Sequence, residues 1–157
     1  MIARSALALA LSAVPALAAP PVCPLPFASF VPLAGPAGVG LAVRDEDAGS
    51  RWTLARGGER IAFGTVSQSG SGFTALVEED AAGEPITVRA VLLDASLRDL
   101  NVPQAFEEPG RRPPAFLLLV GLQEALADRD RAAGRVRPLA PDGIWRISAC
   151  AEPGDGR

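Results

Sequence analysis

Histidine, lysine and tyrosine are absent from this 157-residue chain, Met1 is its only methionine, and asparagine occurs once, at Asn101. All 15 positive charges are therefore arginines. A guanidinium stays protonated and cannot act as a base. Without imidazole, no side chain titrates near neutral pH of its own accord. A serine or threonine nucleophile needs an adjacent base, usually His or Lys, and finds neither. Zinc, copper and haem sites draw mainly on His, Cys and Met. The expectation is no catalytic set, no cofactor and no soft-metal site. Hard cations with oxygen ligands are the only metals for which ligands are plentiful.

Long apolar runs are also scarce, and the N-terminus holds the one that matters. Arg4 gives a short basic start, residues 5–13 are apolar and rich in Ala and Leu, Pro15 ends any helix, and Ala16-Leu17-Ala18 has the small-x-small pattern of a signal-peptidase site. Cleavage is expected after Ala18. The apolar core falls short of the roughly 20 residues that span a bilayer. Lipidation at Cys23 is not expected, because Pro20, Pro21 and Val22 precede it. Residues 1–18 are thus read as an export signal, and no membrane span is expected after its removal. With Arg4 gone, fourteen arginines face eighteen acidic residues, a net charge of −4. Such a surface offers no general attraction to nucleic acid or anionic lipid.

Only two cysteines are present, Cys23 and Cys150. In an exported chain they read most simply as one disulfide. A redox or metal pair would need close spacing such as C-x-x-C. A bridge here closes nearly the whole domain and forces its first and last segments to touch. Loop-closure entropy sets an upper figure of about 4–5 kcal/mol.

Residues 19–38 are rich in Pro and Gly and read as an extended arm, with Leu25, Phe27, Phe30 and Leu33 as bulky anchors. From residue 39, short apolar runs alternate with turn residues. Leu41 and Val43 share a face, as do Trp52 and Leu54, then Ile61, Phe63 and Thr65, then Phe73, Ala75 and Val77, then Ile86, Val88, Ala90 and Leu92. Turns separate them at 45–50, Gly57-Gly58, 69–72 and 79–84. Five strands spaced about ten residues apart indicate an antiparallel meander. Residues 94–114 carry four prolines and read as a long connection, with a short helical turn near 95–100. Residues 114–133 read as a helix. Phe116, Leu119, Leu122, Ala125 and Leu126 lie on one side, Glu124, Asp128 and Arg131 on the other, and Gly134 is the stop. The run 116–120 is equally compatible with a buried strand. Residues 144–150 form a final strand with Trp145 and Ile147 on one face, and 151–157 read as a disordered tail.

Candidate chemistry is sparse. Ser67, Ser69 and Ser71 lie in a Gly/Ser turn, and Gly70-Ser71-Gly72 matches neither a nucleophile elbow nor a phosphate loop. Asp45, Asp47 and Gly49 resemble the opening of a calcium loop, but Arg56 occupies the position where that loop requires Glu. A solvated acidic turn is the better reading there and at Glu78-Glu79-Asp80. Glu107-Glu108 beside Arg111-Arg112 reads as a solvated loop in a Pro-rich connection. Trp52 and Trp145 are core residues by their apolar alternation rather than a sugar-stacking platform. Arg129, Arg131, Arg135 and Arg137 cluster about the helix C-terminus, where cations are favoured, so capping is the first reading and a partner site the second.

The fold class expected is α+β, mostly β. It comprises an antiparallel meander of five to six strands, with a curled sheet or small barrel as the variant, and one covering helix near 114–133. The globular domain is 39–150, with the termini stapled together. The function expected is that of an exported, periplasmic or secreted, non-catalytic protein that binds another protein or an envelope component. A carboxylate-based glycan hydrolase is the alternative, recognisable by two carboxyls about 5–9.5 Å apart in a cleft. An apolar-ligand binder is the third reading, and it requires an internal pocket of several hundred Å³.

Overall fold

The structure is a computed structural model that describes residues 21, 23–46, 49–67, 74–100 and 114–151. The expected signal segment, the Gly/Ser turn at 68–73, the Glu107–Arg112 patch and the tail beyond Ala151 lie outside the described residues.

Eight antiparallel strands close into an up-and-down barrel, each paired with its neighbours in sequence and the last paired with the first. They are β1 (Ala28–Pro32), β2 (Gly40–Glu46), β3 (Gly49–Arg56), β4 (Glu59–Ser67), β5 (Thr74–Glu78), β6 (Thr87–Leu93), β7 (Phe116–Val120) and β8 (Gly143–Cys150). One helix, α1 (Leu122–Ala132), joins β7 to β8. The mostly-β, antiparallel class with one helix is as the sequence indicates, and the barrel variant is the one realised.

Three segments differ from the sequence reading. Within the Pro-rich arm, Leu25–Phe27 form a 3-10 turn and Ala28–Pro32 form a full barrel strand. Proline is tolerated in a strand at its ends, and Pro32 stands there. The helix is shorter than expected, because 116–120 is the strand β7. Leu117 and Leu119 point inward and are buried, opposite Leu92 and Ala90 of β6. Gly121 then reverses the backbone at φ 89°, a left-handed conformation open to glycine, and α1 begins. The third difference is at 94–100, which is a turn rather than a helix. The Asp94 carboxylate accepts the Ser96 and Arg98 amides at 2.7 and 3.0 Å and so diverts the backbone from helical pairing.

The interior follows the alternation in β2, β3, β4, β6 and β8. Leu41, Val43, Trp52, Leu54, Ile61, Phe63, Val88, Ala90, Leu92, Trp145 and Ile147 are all buried. Thr65 is exposed despite sharing the face of Ile61 and Phe63. In β5 the inward face is the opposite of the one expected: Leu76 pairs with inward Val88, while Ala75 pairs with outward Arg89. Both alternate sets of β5 carry apolar residues, so pairing register and not pattern decides. The rings of Phe30 and Trp52 stack with centroids 6.4 Å apart.

One end of the barrel carries the disulfide. Cys23 and Cys150 are bonded, with Cα atoms 5.7 Å apart, beside the β1–β8 seam where Ala28 faces Cys150. Ala151 extends that end by donating its amide to the Phe27 carbonyl at 2.8 Å. The other end is covered by α1 and the connection that follows it.

Candidate functional site: the helix-covered end of the barrel

The helix end is built from both polar and apolar contacts. Alternation along β3 carries Arg56 inward after Trp52 and Leu54, and its side chain is fully buried. On α1, Leu122, Leu126 and Asp130 recur every four residues, so they form one buried stripe facing the barrel. This sets Asp130 against Arg56 in a two-pronged pair, with N–O distances of 2.6 and 3.2 Å. Glu59 lies 2.9 Å from the Arg56 guanidinium as an ion pair and accepts a hydrogen bond from Arg137 at 2.7 Å. Arg137 also lies 3.5 Å from Asp130. Two guanidinium groups and two carboxylates therefore neutralise one another beneath the helix. The Arg56 hydrogen bond is the main influence holding the Asp130 carboxyl below its ordinary pKa, with burial opposing it and the charges of Arg56, Arg137 and Arg135 assisting.

The helix is fixed at both termini. Its Gln123 amide donates to the Asp142 carboxylate at 3.1 Å, a cap supplied from the far side of the connection. At the C-terminus, Arg135 N donates to Asp130 O at 2.8 Å and Gly134 N to Arg131 O at 3.2 Å, with Gly134 at φ 60°. This pairing is a Schellman motif, and it confirms Gly134 as the stop. The connection then crosses the barrel mouth. Ala140 is completely buried, and Trp145 donates its indole N–H to Pro141 O at 3.1 Å.

Beside α1 lies an open groove of about 800 Å³ between the helix and the β5–β6 turn. Small residues, among them Ala82, Pro85, Ala125 and Ala132, line its sides. At its floor the Glu78 carboxylate is ion-paired with Arg129 and accepts the Ile86 amide at 3.1 Å. Asp80, Glu84, Asp128 and Arg135 stand at the exposed rim.

The candidate residues from the sequence are dispersed or neutralised. Glu79 pairs with Arg51 at 3.0 Å, and Arg51 also lies 3.3 Å from Glu46. Arg129, Arg131 and Arg137 all carry carboxylate partners, Arg131 through Asp128 at 2.5 Å. Trp52 and Trp145 are both core residues, 2% and 0% exposed, so neither offers a face to a sugar. Asp45 and Gly49 lie on β2 and β3, and Asp47 falls outside the described residues. Among the described residues, no three Asp, Glu or Cys side chains gather as a metal site. The sequence reading missed Arg56 and Asp130. The signal for Arg56 was its parity with Trp52 and Leu54; the signal for Asp130 was its four-residue spacing from Leu126.

No family model, curated protein or solved structure matches the chain. Among the described residues, no helix is long and apolar enough to cross a membrane.

Proposed function

We propose that the chain is exported and works in an oxidising compartment, periplasmic or extracellular, as a small non-catalytic protein that binds another protein or an envelope component. One observation carries this reading: Phe30, Trp52, Phe63 and Trp145 occupy the barrel interior. An eight-stranded barrel has an interior just wide enough for side chains or for one small ligand. Here large rings take that space, and the charge cluster with Leu122 and Leu126 covers one mouth. Recognition then falls to the outer surface. The helix end offers a concavity there, with charges of both signs at its rim. The Cys23–Cys150 bond supports the oxidising compartment, since such bonds persist outside the reducing cytosol. The leader pattern of residues 1–18 supports export.

Chemical cross-linking in the native envelope followed by pull-down tests the binding role. A reproducible partner is expected. Repeated recovery of the protein alone, together with glycan turnover by the purified chain, would overturn the reading in favour of a hydrolase. Export is checked by the intact mass of protein recovered from the envelope, expected to begin at Ala19.

A further inference from the structure

The connection after α1 has an unusual surface. Val136 is 101% exposed and Leu139 is 40% exposed, although both are aliphatic. Between and beside them, Arg137 is partly buried and Ala140 completely so. Burial along this segment thus recurs every three residues: 137 and 140 inward, 136 and 139 outward, with exposed Arg135 and Pro138 forming a second outward column. A three-residue period belongs to the polyproline-type helix and to neither α-helix nor strand. Residues 135–141 belong to no helix or strand, and among the described residues the amides of Val136, Arg137, Leu139 and Ala140 donate no hydrogen bond to other backbone.

The segment is nonetheless held in place along its length. Arg135 N is tied to Asp130 O in the helix cap. Arg137 is ion-paired with Glu59, and the Pro138 carbonyl accepts from Arg56 at 3.4 Å. The Pro138 ring packs so close to Gly57 that a Cβ added there would lie 2.8 Å from its Cδ. Pro141 O is fixed by Trp145. An extended segment whose conformation is set before binding loses little entropy when docked.

We propose that residues 135–140 are a preformed recognition strap, taken up by a partner protein through an aromatic-lined groove with an acidic rim. The proposal rests on the binding reading above and names its surface and the kind of partner. Grooves lined by aromatic rings accept polyproline-type segments because two columns of side chains fit between the rings. Here the columns are Val136 with Leu139 and Arg135 with Pro138. Exposed Arg135 calls for a carboxylate on the partner.

A photo-reactive benzoylphenylalanine placed at position 136 or 139 of the full chain, expressed in its native envelope, tests this. Control positions are Thr87, on the groove, and Ser148, exposed on the barrel wall. The expected result is one adduct from 136 and 139, several-fold stronger than from either control, whose cross-linked partner peptide contains aromatic and acidic residues. Arg135→Gln should reduce that adduct about tenfold in protein shown by circular dichroism to remain folded at the assay temperature, since Arg135 also contributes charge near Asp130. Adducts only from position 87 or 148 would overturn the strap and leave the binding role standing. Adducts from none of the four positions would overturn both.

Discussion

At the scale of single residues, the decisive group is Arg56. A buried guanidinium is tolerated only when its charge is met and its donors are used. Asp130 and Glu59 meet the charge here, and Asp130 takes two of the donors, while Arg56 Nε is left without a hydrogen-bond partner among the described residues. Removing one partner leaves an uncompensated charge in the barrel mouth, so Asp130→Ala should cost about 3–5 kcal/mol in a urea unfolding experiment. The same pair predicts a pH dependence. The folded-state pKa of Asp130 lies below its unfolded value, so its contribution is present above that unfolded value, near 3.9. It disappears as pH falls from about 5 through the lower folded value. Stability measured from pH 7 to pH 2 should therefore decline more steeply in the native protein than in Asp130→Asn, and parallel curves would remove the pair from the account. Neither residue stood out as a site in the sequence. Each is an ordinary charge until tertiary structure brings β3 under α1, residues 56 and 130 being far apart along the chain.

At the scale of elements, Gly121 separates two that the sequence pattern merges. The run Phe116-Leu117-Leu118-Leu119-Val120 satisfies a buried helix and a buried strand alike, because nearly every position is apolar. What decides is the partner: β6 and β8 both need a neighbour, and β7 supplies it. Gly121 at φ 89° permits the reversal, so Gly121→Ala should destabilise by about 1–2 kcal/mol, measured by thermal unfolding. Leu126, completely buried beneath the helix, is the anchor of α1. Leu126→Ala should cost about 2–5 kcal/mol and raise amide exchange within α1 before the barrel. The five hairpin strands from β2 to β6 were legible because alternation and turn residues coincide there. β1 was not, because the prolines around it argue against pairing and its own proline, Pro32, is tolerated only at the strand end. The β5 face was not legible either, since Ala75 and Val77 are as apolar as Leu76.

At the scale of the whole molecule, closure replaces edges. A closed barrel exposes no unpaired strand to another chain, so it avoids edge-to-edge aggregation. The seam between β1 and β8 is held by five residue pairings and, at its end, by the disulfide. Reduction, or Cys150→Ser, should lower stability by about 2–5 kcal/mol without changing the far-ultraviolet circular dichroism of the folded state. A loss of β signal under native conditions would mean instead that the strand pairings cannot hold the seam alone.

The placement of that seam also orders events in time. Every pairing from β2 to β7 joins strands that are consecutive along the chain, and these can form as the polypeptide emerges. The closing pair alone joins residues more than a hundred positions apart, Ala28 with Cys150. Long-range pairing of this kind is slow, and it must wait until β8 has been made. A nascent chain ending after β7 lacks Trp145 and Ile147 from its interior and has two open edges. Until its last strand arrives the polypeptide is an open sheet with an unfinished interior, and closure of the barrel is the final event.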